Sequence, residues 1–343
     1  MSLLIFNECG IYCPPADVYI DPWRPVRRAI ITHAHADHAR PGHQAYLAHH
    51  LSAAVLRQRL GKGIRLQTLG YGKKLTIKGV QFSLHPAGHI PGSAQVRVEY
   101  RGAIWVVSGD YKLESDGLST PFQPVPCHHF ITECTFGLPV YRWPRPAEVE
   151  GAINAWWQAN RAAGKVSLLA GYSLGKAQRL LQGLDPAIGP IFTHGAVENV
   201  NEVLRRDGHR LPPTQRITGR SQKKEWAGAL VIAPPSAIGT PWSRKLGVVS
   251  TAFASGWMAL RGTRRRRAAD RGFVVSDHAD WPGLQTAVRE TGAQHVYATH
   301  GYTDIFSRWL REQGLDAQPV ETLYEGESLE RAATGYEETT GGP

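Results

Sequence analysis

Residues 32–38 read Thr-His-Ala-His-Ala-Asp-His, which sets three imidazoles and one carboxylate within the six positions from His33 to His38. Imidazole nitrogen and carboxylate oxygen with no thiolate nearby suit zinc, with manganese or iron as weaker fits. The apolar run Ala29-Ile30-Ile31 precedes the cluster, so it is read at the end of a strand. On an extended end, His33, His35 and Asp37 alternate to one side while His38 faces elsewhere, and two sets of ligands predict two adjacent ions. A histidine-rich surface turn would have neither the strand before it nor matching ligands further along.

Such ligands exist. His89 stands in Ala87-Gly88-His89-Ile90-Pro91-Gly92-Ser93, and Asp110 closes Ser108-Gly109-Asp110, each where a strand pattern gives way to a loop. Far downstream, Val274 to Asp280 carries His278 and Val296 to Gly301 carries His300; each is read as a short strand ending in a histidine and followed by a helix, at Pro282–Glu290 and Thr303–Gln313. That repeated order predicts that these side chains share one sheet edge. Other histidines, including His43, His49, His85 and His129, lack this setting and are read as structural.

At 343 residues the chain suits two domains, or one with an insertion. Apolar alternation from Leu75 to Val107, turned at Lys78-Gly79 and Arg101-Gly102, predicts antiparallel hairpins in the first 135 residues, with one helix at Ser52–Leu60. Pro139, Pro144 and Pro146 mark a linker, after which the texture alternates helix and strand. Helix Pro146–Ala163, strand Val166–Ala170, a turn with Ser173 as N-cap, strand Ile191–Thr193, helix Glu198–Arg206 and strand Ala229–Ala233 predict a small parallel sheet. The segments are accordingly 1–142, an α/β insertion at 143–247, and 248–343, whose polar, Gly-rich end from Ala332 is expected to be disordered.

Hydrophobic residues at 42% and charged residues at 20% describe an ordinary globular chain, and no apolar run approaches the roughly 20 residues of a membrane span. The beginning has no basic, apolar leader, so the cytoplasm is expected. Four cysteines, none in a CxxC pair, are read as reduced thiols. A net charge of +10 and a pI near 9.6 favour a polyanionic partner, and the run Arg264, Arg265, Arg266 and Arg267 is a candidate for tracking a nucleic-acid backbone.

Taken in order, the motifs resemble those of the metallo-β-lactamase superfamily and, within it, the β-CASP nucleases. Asp21 in Tyr19-Ile20-Asp21-Pro22 matches the first motif, His33-x-His35-x-Asp37-His38 the second, His89 the third and Asp110 the fourth. Glu133, His278 and His300 match β-CASP motifs A, B and C, and Gly171 to Leu180 is similar to a helix start of the inserted domain. The resemblance implies a four-layer αββα fold split by an α/β β-CASP insertion over the metal site. It further implies two Zn2+ (Mn2+ as the alternative), one on His33, His35 and His89, the other on Asp37, His38 and His300, bridged by Asp110, with Asp21 orienting a ligand histidine.

Two metals lower the pKa of a water between them and hold a phosphate for in-line attack. His278 is the expected general acid, oriented by Glu133, and Asp37 and Asp110 complete the catalytic residues. Ser276, Gly175 and Lys176 are candidates for holding a phosphate. Because Ser255 to Arg261 also resembles the DNA-ligase-associated exonucleases, the expected activity is 5′ DNA exonucleolysis in repair. The implied partners are single-stranded or free-ended DNA, with DNA ligase and helicase as repair partners and no membrane. RNA remains open, since His300 at motif C is typical of RNA-acting members. A small-molecule metallo-hydrolase explains the ligands alone, and a non-catalytic nucleic-acid scaffold would be expected to have lost some of them.

Overall fold

The computed structural model describes residues 2–218, 226–260 and 269–324; Arg264 to Arg267 and the tail from Ala332 lie outside them. Among the described residues, no helix is long and apolar enough to cross a membrane.

Three sheets carry the mixed α/β fold. The first, in the order β1 (Ile5–Asn7), β2 (Gly10–Cys13), β3 (Val18–Ile20), β4 (Ala29–Ile30), β5 (Tyr46–His49) and β6 (Leu66–Leu69), begins antiparallel but pairs in parallel from β3 to β6. The expectation of antiparallel strands therefore fails there, because the chain returns through loops and helix α1 (Ala53–Leu60) instead of tight turns. In the second sheet the expected hairpins form: β7 (Lys74–Ile77), β8 (Val80–Pro86), β9 (Ala94–Tyr100) and β10 (Ala103–Val107) are antiparallel neighbours. Lys78 and Gly79, and likewise Arg101 and Gly102, take the positive φ that two-residue hairpin turns need.

Beyond β10, strand β11 (His129–Cys134) pairs in parallel. The chain then leaves for α2 (Pro146–Ala162), which starts with Pro at N1, where its missing N–H costs nothing. A third, wholly parallel sheet follows, built from β12 (Val166–Ala170), β13 (Ile191–Thr193), β14 (Gln215–Arg216), β15 (Leu230–Ala233), β16 (Val249–Ala254) and β17 (Arg271–Phe273). Helices α3 (Lys176–Gln182), α4 (Gly195–Arg206) and α5 (Pro241–Arg244) accompany it.

Four expected features differ. The boundary expected at 247 moves, because β16 and β17 complete the third sheet rather than resuming the second. The strand expected at Val274 to Asp280 is irregular chain, since the Ser276 hydroxyl accepts the His278 N–H and Ala279 bonds to Tyr111 instead of a strand partner. Helix α4 begins at Gly195, before the expected Glu198, because the His194 ring caps it by accepting the Ala196 N–H. The Ser173 cap is replaced by Gly175, at φ +88°, whose N–H donates to Gln178.

After His278, α6 (Trp281–Thr291), β18 (His295–Gly301), α7 (Thr303–Glu312) and β19 (Asp316–Pro319) close the second sheet, with β18 parallel to β11. One apolar core joins Ile11, Val18 and Leu47 of the first sheet to Phe82, Val96 and Trp105 of the second. Leu284 and Val288 of α6 and Phe306 and Leu310 of α7 cover the second sheet's other face. Leu174, Val200 and Leu204 of the insertion join Val55, Leu56 and Ile90 in a further core, so an apolar seam seats the insertion on the rest of the fold. Where the chain crosses to the insertion and back, the two passages are tied: the Trp143 N–H donates to Asp280 and its indole N–H to the His278 carbonyl, each at 2.9 Å.

Candidate metal centre

Strands β10, β11 and β18 run in parallel, so the residues at their C-terminal ends fall along one edge. Asp110 follows β10, Glu133 lies near the end of β11 and His300 near that of β18, while His33 to His38 follow β4 and His89 follows β8. The structure thus brings together seven candidate ligands spread over more than 260 residues of sequence.

They form two sets. In the first, His35 Nδ1 lies 3.1 Å from both His33 Nε2 and His89 Nε2. In the second, His38 Nε2 lies 3.6 Å from Asp37 Oδ2, with His300 beside them. Asp110 stands between, turning Oδ2 to His33 and His89 (3.5 and 3.7 Å) and Oδ1 to His38 and His300 (3.5 and 3.6 Å). The grouping differs from simple alternation, since Asp37 sits with His38 and not with His33 and His35. The chain tightens where Ala39 N–H bonds to the His35 carbonyl, and the period of two is lost.

His38 Nε2, Asp110 Oδ1 and both ring nitrogens of His300 are buried without a hydrogen-bond partner. Such atoms are costly to bury, and converging lone pairs are what a cation satisfies. The donor set therefore fits divalent ions of the zinc or manganese kind.

Each remaining ring nitrogen of four histidines is held. His33 Nδ1 meets the Thr32 hydroxyl (3.1 Å), His35 Nε2 donates to the Leu174 carbonyl (3.1 Å), His38 Nδ1 bonds to Asp21 (2.7 Å), and His89 Nδ1 donates to the Asp277 carbonyl (2.8 Å). These bonds fix ring orientation and the nitrogen presented to the site. Asp21, expected to orient a ligand histidine, is the partner of His38 and also takes the Thr32 N–H. Burial holds His33 and His89 well below the usual histidine range and lowers His35. His38 goes the other way: burial opposes its charge, but the Asp110 and Asp37 carboxylates outweigh it and raise its pKa well above normal.

His278 Nδ1 bonds to Glu133 Oε2 at 2.8 Å, and Glu133 is fixed by the Tyr111 N–H (2.8 Å) and the Thr135 hydroxyl (2.5 Å). His278 lines a cavity of about 510 Å³ with His35, Asp37, His89 and Asp110, walled by Tyr172, Ser173, Leu174 and Pro234 of the insertion.

Two of the expected phosphate contacts are corrected. Gly175 spends its N–H on Gln178, and Lys176 is wholly buried, its ammonium 5.0 Å from the Tyr172 ring centre, so neither faces the cavity. Ser276 lines a neighbouring hollow with Lys112 and Arg179. Arg264 to Arg267 fall outside the described residues. The cationic residues on the cavity wall are Arg40 and Arg59, which the sequence reading passed over because neither stands in a charge run.

No protein-family model matches the chain. Over 316 residues, 91% of its length, it is 33% identical to a protein named probable DNA ligase from Opitutus terrae, of which it spans 30%. Over 123 residues, 35% of its length, it is 30% identical to endoribonuclease YSH1 of Eremothecium gossypii and 32% identical to that of Candida albicans, spanning 16% and 14% of them. The chain thus covers less than a third of the length of each of these curated relatives.

Proposed function

We propose that this chain is a metal-dependent nuclease of the metallo-β-lactamase type with an inserted β-CASP domain, degrading DNA from a 5′ end in repair. The observation that carries the reading is the pair of ligand sets around Asp110 with the His278–Glu133 pair on the same cavity wall. The two cores on either side of the second sheet support the four-layer αββα arrangement.

His33, His35 and His89 would hold one ion and Asp37, His38 and His300 the other, with Asp110 facing both; zinc suits these donors best and manganese second. When bound, the ions would supply Lewis acidity toward the phosphate and activation of water. The chain's own residues do the rest. His278 commits Nδ1 to Glu133, so the proton for the leaving oxygen moves at Nε2, and the Glu133 charge stabilises the protonated ring. Tyr172, Leu174 and Pro234 close the cavity from the insertion side. Its volume falls within the usual range of about 300–1,000 Å³ for small-molecule sites, a size that suits a single nucleotide.

Likeness along nine-tenths of the chain to a protein named as a DNA ligase supports DNA as substrate and a ligase as partner. RNA is the second reading, favoured by the shorter match to endoribonucleases and by His300. The test is digestion of matched DNA and RNA oligonucleotides, labelled and blocked at either end, by zinc- or manganese-loaded protein. DNA degraded only from an open 5′ end is the expected result. Efficient RNA cleavage with inert DNA overturns the substrate, and indifference to a 5′ block overturns the polarity.

A further inference from the structure

After β19 the chain turns back beneath the metal centre. Val320 N–H bonds to the Ala298 carbonyl, and Arg40 joins this segment to the ligand loop, donating from Nε to the Asp37 carbonyl (3.3 Å) and from Nη2 to the Leu323 carbonyl (2.8 Å). Tyr324 follows. Its ring lies 4.5 Å from that of His38 at 9° and 5.9 Å from that of His300 at 22°, and its hydroxyl donates to the Asp21 carbonyl at 3.1 Å.

Two of these partners have unusual backbones. Among the described residues, five other than glycine have positive φ: Asp17, Asp21, Lys78, Arg101 and His300. Lys78 and Arg101 make hairpin turns, and Asp17 closes a tight turn onto the Cys13 carbonyl. His300 (φ +61°) belongs to the second ligand set and Asp21 (φ +44°) holds its His38, and Tyr324 touches both. Such conformations persist at functional sites only when the surroundings over-determine them. Tyr324 and His300 both line a void of about 10 Å³, shared with Asp21, His38 and Asp110, and an outer hollow of about 530 Å³, shared with Trp23 and Thr322. The Tyr324 ring covers one face of His38, so its removal would expose that face to water.

We propose that Tyr324 is a positioning residue for the second ligand set, fixing His38 and His300 by ring stacking and Asp21 by its hydroxyl; this rests on the two-ion reading above. Its influence is confined to that set, because it touches none of His33, His35 and His89 among the contacts the structure shows.

The test uses the full chain stripped of metal and titrated calorimetrically with zinc, as wild type, Tyr324→Phe and Tyr324→Ala. Tyr324→Ala is expected to bind one ion as the wild type does and the other about 10–100-fold more weakly, the usual cost of losing an outer partner of a metal ligand. Tyr324→Phe keeps the stack and is expected to recover most of that loss. If Tyr324→Ala does not fold, Tyr324→Leu, which fills the space without a flat ring, carries the same expectation. An unchanged second ion, or equal weakening of both, overturns the assignment. A wild type that takes fewer than two ions overturns it together with the two-ion reading. A wild type that takes two ions and cleaves no nucleic acid refutes the proposed function alone, and the variants still decide the role of Tyr324.

Discussion

The two ligand sets are held from different directions. His35 rests on the Leu174 carbonyl of the insertion and His89 on the Asp277 carbonyl of the chain returning from it, whereas His38 rests on Asp21 and Tyr324, outside the insertion. Asp277 is itself gripped by Arg179 of α3 at 2.7 Å, and Arg179 reaches Asp116 at 3.2 Å. Burial alone pushes the Asp277 carboxyl up, yet the Arg179 and Lys176 cations bring it down to about 2, so attraction outweighs desolvation there. The first set is therefore completed by seating the insertion, and the second is built into the remaining fold.

Removing Asp110 erases this distinction, because one oxygen faces each set. Asp110→Ala is expected to abolish cleavage and to release both ions, a larger effect than loss of any single histidine; metal analysis by mass spectrometry checks it. His278→Ala sharpens the comparison by testing whether the proposed proton donor lies outside both sets. Cleavage is expected to fall roughly 10²–10⁴-fold at saturating metal with metal content unchanged. Equal loss of metal would make His278 a ligand, and an undiminished rate would leave it without a catalytic role.

Asp21→Asn addresses the second set alone. Its ion is expected to bind about 10–100-fold more weakly while the other is retained, as read by stepwise titration. Gly175→Ala addresses the first. A Cβ there would stand 2.4 Å from Ile90 Cγ2 on a backbone at φ +88°, so the insertion is pushed from its seat at a cost of about 1–3 kcal/mol in unfolding free energy. Calorimetric melting is expected to show that loss, with the ion of His33, His35 and His89 weakened. Weakening of both ions alike would dissolve the contrast between the sets.

The sequence made the ligands legible because each ends a short apolar segment, and chemistry-bearing residues at strand ends stand out against alternation. Alternation alone misgrouped Asp37, because it assumes extended chain whereas one bond from Ala39 to the His35 carbonyl coils the loop; the motif resemblance grouped it with His38 and His300, as the structure does. The insertion's far boundary was misplaced because Val249 to Ala254 is an apolar run that suits either sheet, and only pairing with β12 assigns it. Lys176 and Gly175 looked like a phosphate-binding helix start; the competing partner, Gln178, lies three residues on and carries no such signature in sequence. Tyr324 was invisible for a similar reason, being a lone aromatic in a polar stretch whose stacking partners lie 24 and 286 residues away.

The tie between Trp143 and the His278–Asp280 segment makes the two passages a clasped stalk. The clasp adjoins the His278–Glu133 pair, so strain carried along the two passages falls on His278 as well as on the seam of Leu174, Val200 and Leu204.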